Sequence, residues 1–304
     1  MGSEAEAAWP RFSDEASRAR YLAAYDAAAK HWPAPLEDLT VPTRLGPTHL
    51  IAAGSVDAPP LILLHSLAAT ALVWRANIAA LSKTWRVYAV DVIGQPGKSV
   101  AHRRLRERSD YAEWLDDILD HLGVRRAPLV GCSYGAFLAA SQAVLTPERV
   151  ERLVLIGPPG VFAAMSSMLA LRMRASGLER RLRRAMGDRR PPDATRLHPA
   201  AAPRHAADDG WRRLMGVTMA EAAELSLIKT EVFSRAELRR ISAPTLLLLG
   251  EYEQLYEPEA TLERARRLMP DIQAELVPGA DHIAAMAQPD WVNARIIAFL
   301  RSEG

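Results

Sequence analysis

Gly131-Cys132-Ser133-Tyr134-Gly135 is the stretch on which the reading of this chain turns. It has the pattern G-x-S-x-G. The apolar run Ala127-Pro128-Leu129-Val130 precedes it, and a helix-forming run from Ala136 to Leu145 follows. A serine on a tight turn between a strand and a helix is pushed out of the sheet with its hydroxyl presented. Small residues on either side let the backbone take the strained conformation this requires. A short motif alone is weak evidence. Its weight comes from the strand before it, the helix after it, and a histidine in the loop beyond the last strand.

Outward from this elbow, apolar strands alternate with helices. The pattern predicts strands over Leu61 to Leu64, Arg86 to Val92, Leu129-Val130 with their flanks, Arg152 to Ile156, Thr245 to Leu249 and Gln273 to Val277. It predicts helices over Ala71 to Ser82, Asp110 to Leu122 with Ser109 as cap, Pro258 to Met269, and Pro289 to Arg301. An amphipathic helix is expected earlier, from Ser13 to His31, followed by an extended segment from Thr43 to Ala53. Continuous apolar strands separated by helices signal an α/β fold with a mostly parallel, twisted sheet covered on both faces.

One segment breaks the alternation. Val161 to Ile241 shows no strand signal, and roughly eighty residues are too many for an ordinary connection, whose typical length is about 4–6 residues. A helical insertion is expected there, dividing the chain into a core of residues 1–160 and 242–304 and an inserted unit of 161–241. The insertion carries Met165, Met168, Met173, Met186, Met215 and Met219. These either line an apolar pocket or pack the insertion against the sheet. Its arginines, Arg172, Arg174, Arg180, Arg181, Arg183, Arg184, Arg189 and Arg190, read as a solvated face, with docking of an acidic carrier protein as the other reading.

Composition narrows the classes. A net charge of +2 over 304 residues makes no electrostatic case for nucleic acid or an anionic membrane. The single cysteine, Cys132, excludes an internal disulfide and any zinc site built on several thiolates. No run of 18 apolar residues appears and the first residues hold no hydrophobic signal core, so a cytoplasmic location is expected.

Ser133 needs a base, because a serine hydroxyl is a weak nucleophile at neutral pH. His282, in Val277-Pro278-Gly279-Ala280-Asp281-His282, follows the last predicted strand and is the candidate. His31, His49, His102, His121, His198 and His205 lie in helical, arginine-rich, extended or inserted contexts. A third group must orient the imidazole. The loop Gly250-Glu251-Tyr252-Glu253-Gln254-Leu255-Tyr256-Glu257 offers Glu253 first, with Glu251 and Glu257 as alternatives and Asp281 last. For an oxyanion, the Tyr134 N–H at the start of a helix supplies one donor. The loop His65-Ser66-Leu67-Ala68-Ala69 supplies the second at Leu67, with His65 propping that loop.

With these pieces assembled, the chain resembles the α/β-hydrolase fold superfamily, of the lid-bearing, serine esterase-like kind. The matching pieces run from about Leu61 to Leu300. They include His65-Ser66 where the family usually has His-Gly, and the run Asp91-Val92-Ile93-Gly94-Gln95-Pro96-Gly97-Lys98-Ser99 where it has an aspartate and a Gly-rich turn. The family's lid falls where the strandless insertion lies. Two departures stand out: Ser66 replaces a glycine of the oxyanion loop, and glutamate replaces the commoner aspartate. The resemblance implies two-step acyl transfer on a carboxylic ester of a small apolar substrate, through an acyl-enzyme, with no metal or organic cofactor. The same residues would serve a thioesterase, a C–C hydrolase, an acyltransferase or cyclase, or a ligand-binding homologue that has abandoned turnover. A small-molecule acyl substrate is the expected partner, nucleic acid and membrane are not, and a homodimer is left open.

Overall fold

The computed structural model describes residues 8–166 and 209–302. Eight strands form the central sheet: β2 (Glu37–Val41), β3 (Thr48–Ala53), β4 (Pro60–Leu64), β5 (Arg86–Val90), β6 (Ala127–Cys132), β7 (Val150–Ile156), β9 (Thr245–Gly250) and β10 (Gln273–Val277). Their order is β10-β9-β7-β6-β4-β5-β3-β2. From β5 to β10 the neighbours are parallel, while β3 runs antiparallel to β5 and β2 antiparallel to β3. The mostly parallel α/β sheet expected from the apolar runs is therefore present, with an antiparallel edge hairpin of which only β3 falls in the extended segment expected from Thr43 to Ala53. Glu37–Val41 gave no signal because its charged and polar residues are exposed and it carries no apolar run.

Both faces of the sheet are covered. On one side, α3 (Arg108–His121) and α4 (Tyr134–Leu145) bury Trp114, Ile118 and Phe137 against Leu129 and Leu153. On the other, α2 (Arg75–Leu81) and the helix Pro289–Arg301 bury Ile78, Val292, Ile296 and Phe299 against Leu63 and Val130. Leu61 to Leu64 and Leu246 to Leu249 are completely buried, as both-face coverage demands of a parallel strand. Burying a leucine of this kind contributes about 1.5–3 kcal/mol.

Three local expectations change. The helix predicted over Ala71 to Ser82 begins as a 3-10 turn, Ala71–Trp74, capped by Thr70, before α2. The cap of α3 is Glu107 rather than Ser109: Glu107 and Asp110 close a capping box that starts the helix two residues earlier. The stretch 161–241 is not strandless. β8 (Ala222–Glu224) pairs antiparallel with β1 (Arg11–Phe12), and three residues of Ala-Ala-Glu carry no signal visible against a helical background. The helix Asp209–Glu221 packs on α1 (Glu15–Ala29), where Arg20 and Glu221 make a two-bond ion pair of 2.8 and 2.9 Å. Met215 is half-buried on that side of the core. Met168, Met173, Met186, His198, His205 and the arginines from Arg172 to Arg190 lie outside the described residues. Among the described residues, no helix is long and apolar enough to cross a membrane.

Candidate active site

The carboxyl ends of β4, β6, β9 and β10 open onto one edge of the sheet, where the direction of winding changes. In parallel sheets this is where ligands are held. β6 delivers Ser133 there at φ 51°, ψ −117°, a conformation unfavourable for any L-residue. The surrounding bonds fix it. Ser133 N donates to Ile156 O at 2.7 Å, and Ser133 O accepts from Ala136 N at 2.8 Å and Phe137 N at 3.1 Å. The flanking glycines are required by space. A Cβ on Gly131 would lie 2.5 Å from Ala136 Cα, and one on Gly135 would lie 2.2 Å from Leu64 O. Helix α4 can start this close to the sheet only without those atoms.

Ser133 Oγ lies 2.7 Å from His282 Nε2, and His282 Nδ1 lies 2.7 Å from Glu253 Oε2. The other Glu253 oxygen accepts from Gln254 N at 2.7 Å and Leu255 N at 2.8 Å. The Glu253 side chain is fully buried. Burial would push its carboxyl up, but His282 and the two backbone N–H groups outweigh this and hold it below the usual carboxylate range. A carboxylate so held is ionised at neutral pH and accepts from Nδ1–H, which leaves Nε2 free to accept from the serine hydroxyl.

The competing acids are elsewhere. Glu251 is exposed and accepts from Gly279 N at 2.8 Å; Glu257 is exposed at the start of the helix Pro258–Leu268; Asp281 turns back to Ile283 N at 3.0 Å. Cys132 is buried on the opposite face of β6, its thiol pushed up to about 12 by burial and then by Glu253 and Asp281. A thiol of that kind is inert. Iodoacetamide is expected to leave Cys132 unmodified in the folded protein, and Cys132→Ala to keep turnover within about threefold, since a buried small hydrophobe is replaced by another. Rapid alkylation that stops turnover would contradict this.

Leu67 and Tyr134 lie at the ends of the β4 and β6 loops, and neither backbone N–H has an acceptor among the described residues. Tyr134 is the first residue of α4, whose leading N–H groups have no partner within the helix. His65 is completely buried: Nδ1 donates to Ser66 O at 2.8 Å, and Nε2 accepts from Val92 N at 2.9 Å. Those two bonds use both ring nitrogens of a neutral imidazole. Burial lowers its pKa, so His65 braces the loop and does not exchange protons at neutral pH.

An alpha/beta hydrolase fold model matches residues 59–289. The chain belongs to the α/β-hydrolase fold family. This α/β-hydrolase is 37% identical over 299 residues to carboxylesterase YbfK of Bacillus subtilis, covering 95% of this chain and 96% of that protein. It is 35% identical over 298 residues to the carboxylesterase nap of the same organism, covering 97% and 96% respectively. Among solved structures, carboxylesterase CesB (YbfK) of B. subtilis superposes with a TM-score of 0.83 at 34% identity, over 95% of this chain and 100% of that one. The B. subtilis naproxen esterase superposes at 0.78 and 34% identity, over 96% and 100%.

Two features of this α/β-hydrolase were not singled out as site residues from the sequence. Gln95 and Ser226, both completely buried, meet beside the loop that carries Leu67 and Ala68. Gln95 stood in plain view in the Gly94-Gln95-Pro96-Gly97 turn, but nothing in a sequence says where a turn glutamine points. His49, in the extended segment, is buried between two aspartates, Asp91 and Asp38, at 2.8 Å each.

Proposed function

We propose that this chain is a carboxylic-ester hydrolase acting on small apolar esters through an acyl-enzyme, with Ser133 as nucleophile, His282 as general base and acid, and Glu253 as the orienting carboxylate. The observation that carries the proposal is the unbroken relay of two 2.7 Å contacts from Ser133 Oγ through the imidazole to the buried Glu253. Such a relay is the arrangement acyl transfer needs. The carboxylesterase names of the relatives support the ester as substrate.

In the first step His282 Nε2 takes the hydroxyl proton as Ser133 Oγ attacks the ester carbonyl carbon. The carbonyl oxygen becomes an oxyanion facing the Leu67 and Tyr134 N–H groups. His282 then gives the proton to the leaving alkoxide, the C–O bond breaks and the alcohol departs. Water attacks the acyl-serine with its proton passing to His282, and collapse returns that proton to Ser133 and frees the acid. Each backbone donor aimed at the oxyanion contributes about 2.7–4 kcal/mol to lowering the barrier.

A series of p-nitrophenyl esters from acetate to decanoate tests the reading. Saturable release of p-nitrophenol is expected, with kcat/KM at least about tenfold higher for butyrate than for decanoate, as the proposed preference for small acyl groups requires. Saturable binding of the esters with no release above the Ser133→Ala background would favour a ligand-binding homologue instead.

A further inference from the structure

We propose that Gln95 is a positioning residue for the oxyanion loop, holding Ala68 in a left-handed conformation that aims the preceding Leu67 N–H, and fastening that loop to Ser226 in the stretch 161–241. The inference rests on the proposed acyl transfer at Ser133, with the Leu67 and Tyr134 N–H groups as its oxyanion donors.

Among the described residues, only two that are not glycine have positive φ: Ser133 at 51° and Ala68 at 56°. Both flank the position assigned to the oxyanion. Ser133 is held by the elbow, but Ala68 has no side-chain polar group to stabilise a left-handed backbone, as asparagine or aspartate would. Its constraint comes from outside. Ala68 N donates to Gln95 Oε1 at 3.2 Å, and Ala69 N donates to Ser66 O at 3.2 Å, closing the turn around Leu67 and Ala68.

The orientation of the Gln95 amide is determined by its partners. One end faces an N–H and must be the oxygen; the other lies 2.7 Å from Ser226 O and must be the nitrogen. Ser226 is in turn immobilised: its N donates to Gly94 O at 2.9 Å, its Oγ accepts from Leu105 N at 2.7 Å, and its carbonyl also accepts from Tyr111 OH at 3.2 Å. Two residues on, Ile228 N donates to Tyr134 OH at 3.0 Å. The segment Ser226–Ile228 thus bonds to Tyr134 on one side and, through Gln95, to the loop of Leu67 on the other. If the amide is lost, Ser226 O keeps Tyr111, whereas Ala68 N loses the bond that offsets its strained φ.

Gln95→Met keeps the buried volume and removes both bonding ends. Its kcat on p-nitrophenyl butyrate is expected to fall about 10- to 100-fold, less than the complete loss of an oxyanion donor, with KM within about threefold. Affinity for an alkyl trifluoromethyl ketone, whose serine adduct carries an oxyanion, is expected to fall in parallel. Adding Ala68→Gly is expected to recover about five- to thirtyfold of the kcat, because glycine adopts φ near +56° without the penalty an L-residue incurs. Should Gln95→Met fail to fold, Gln95→Asn, whose amide stops one methylene short, is expected to give the same split with the same recovery. Unchanged kcat, a loss confined to KM, unchanged ketone affinity, or no recovery with Ala68→Gly would each overturn the proposal. Failure of the underlying reading looks different: Ser133→Ala would then retain turnover, whereas an inactive Ser133→Ala beside a fully active Gln95→Met defeats the role of Gln95 alone.

Discussion

Ser133→Ala is expected to lower kcat on p-nitrophenyl esters by about 10⁵- to 10⁶-fold, and Glu253→Gln by about 10⁴-fold, with the fold and Tm of Ser133→Ala little changed. The serine effect follows from losing the hydroxyl oxygen that lies 2.7 Å from His282 Nε2. The glutamate effect follows from tautomer choice. A carboxylate at 2.7 Å from Nδ1 accepts only, so the ring proton stays on Nδ1 and Nε2 presents its lone pair to Ser133. An amide at that place offers N–H to Nδ1, moves the ring proton to Nε2, and leaves nothing to accept the serine proton. Glu251→Gln, altering an exposed acceptor of Gly279 N, is expected to stay within about threefold of the parent, as surface changes away from such networks do. Steady-state kinetics on the three variants decides the matter. A more damaging Glu251→Gln would move the acid, and residual turnover above about 1% in Ser133→Ala would remove the nucleophile.

The largest expected effect on stability is that of Asp91→Ala, about 3–5 kcal/mol. Asp91 is completely buried at the end of β5 and accepts from Ala71 N at 2.8 Å, Lys98 N at 2.9 Å and His49 Nδ1 at 2.8 Å. Its backbone O accepts from Ser99 Oγ at 2.6 Å, and His49 N donates to that same hydroxyl at 2.9 Å. Truncation strands an imidazole and two amides in the interior, and the cost of unpaired buried groups exceeds the net worth of the bonds themselves. A shift of the urea midpoint at constant slope is the measurement. A loss under about 1 kcal/mol would mean the groups find water or new partners.

The same network makes stability depend on pH. Burial would lower the His49 pKa, but Asp91 and then Asp38 raise it overall; Tyr25, edge-on to the ring at 5.9 Å, completes its surroundings. For Asp91 burial would raise the pKa, and His49, His65 and Ala71 N outweigh it, so its carboxyl is lowered. The stabilisation from a raised histidine is fully present below its unfolded value, about 6.5, and disappears as pH rises through the folded value. That from a lowered aspartate is present above about 3.9 and disappears as pH falls through the folded value. The stability difference between the parent and His49→Gln is therefore expected to be greatest between about pH 4 and 6.5 and to shrink at higher pH. A difference independent of pH would contradict a charged His49.

How much of this was legible follows from range. The apolar runs at Leu61 to Leu64, Leu129-Val130 and Thr245 to Leu249 announced parallel strands because full burial on two faces leaves a continuous composition signal. The elbow was legible because Gly131 and Gly135 are steric necessities written in two letters. Strand Glu37–Val41 and strand Ala222–Glu224 were not, since one is an edge strand rich in polar residues and the other is three residues long. For such strands pairing partners, not propensity, decide the conformation.

By itself the sequence determined the α/β class, the alternation of strands and helices from Leu61 to Ile156 and from Thr245 to Arg301, and the candidates Ser133, His282 and a glutamate after β9, because burial periodicity and tight-turn sterics act within a few residues. Tertiary structure decided which glutamate faces the imidazole, that Asp91 encloses His49, and that Gln95 spans from Ala68 to Ser226. Those outcomes depend on side-chain directions across 29, 42 and 131 residues of chain, and a hydrogen bond is made or lost within a few tenths of an ångström. No local pattern encodes a distance of that kind; only the packed sheet does.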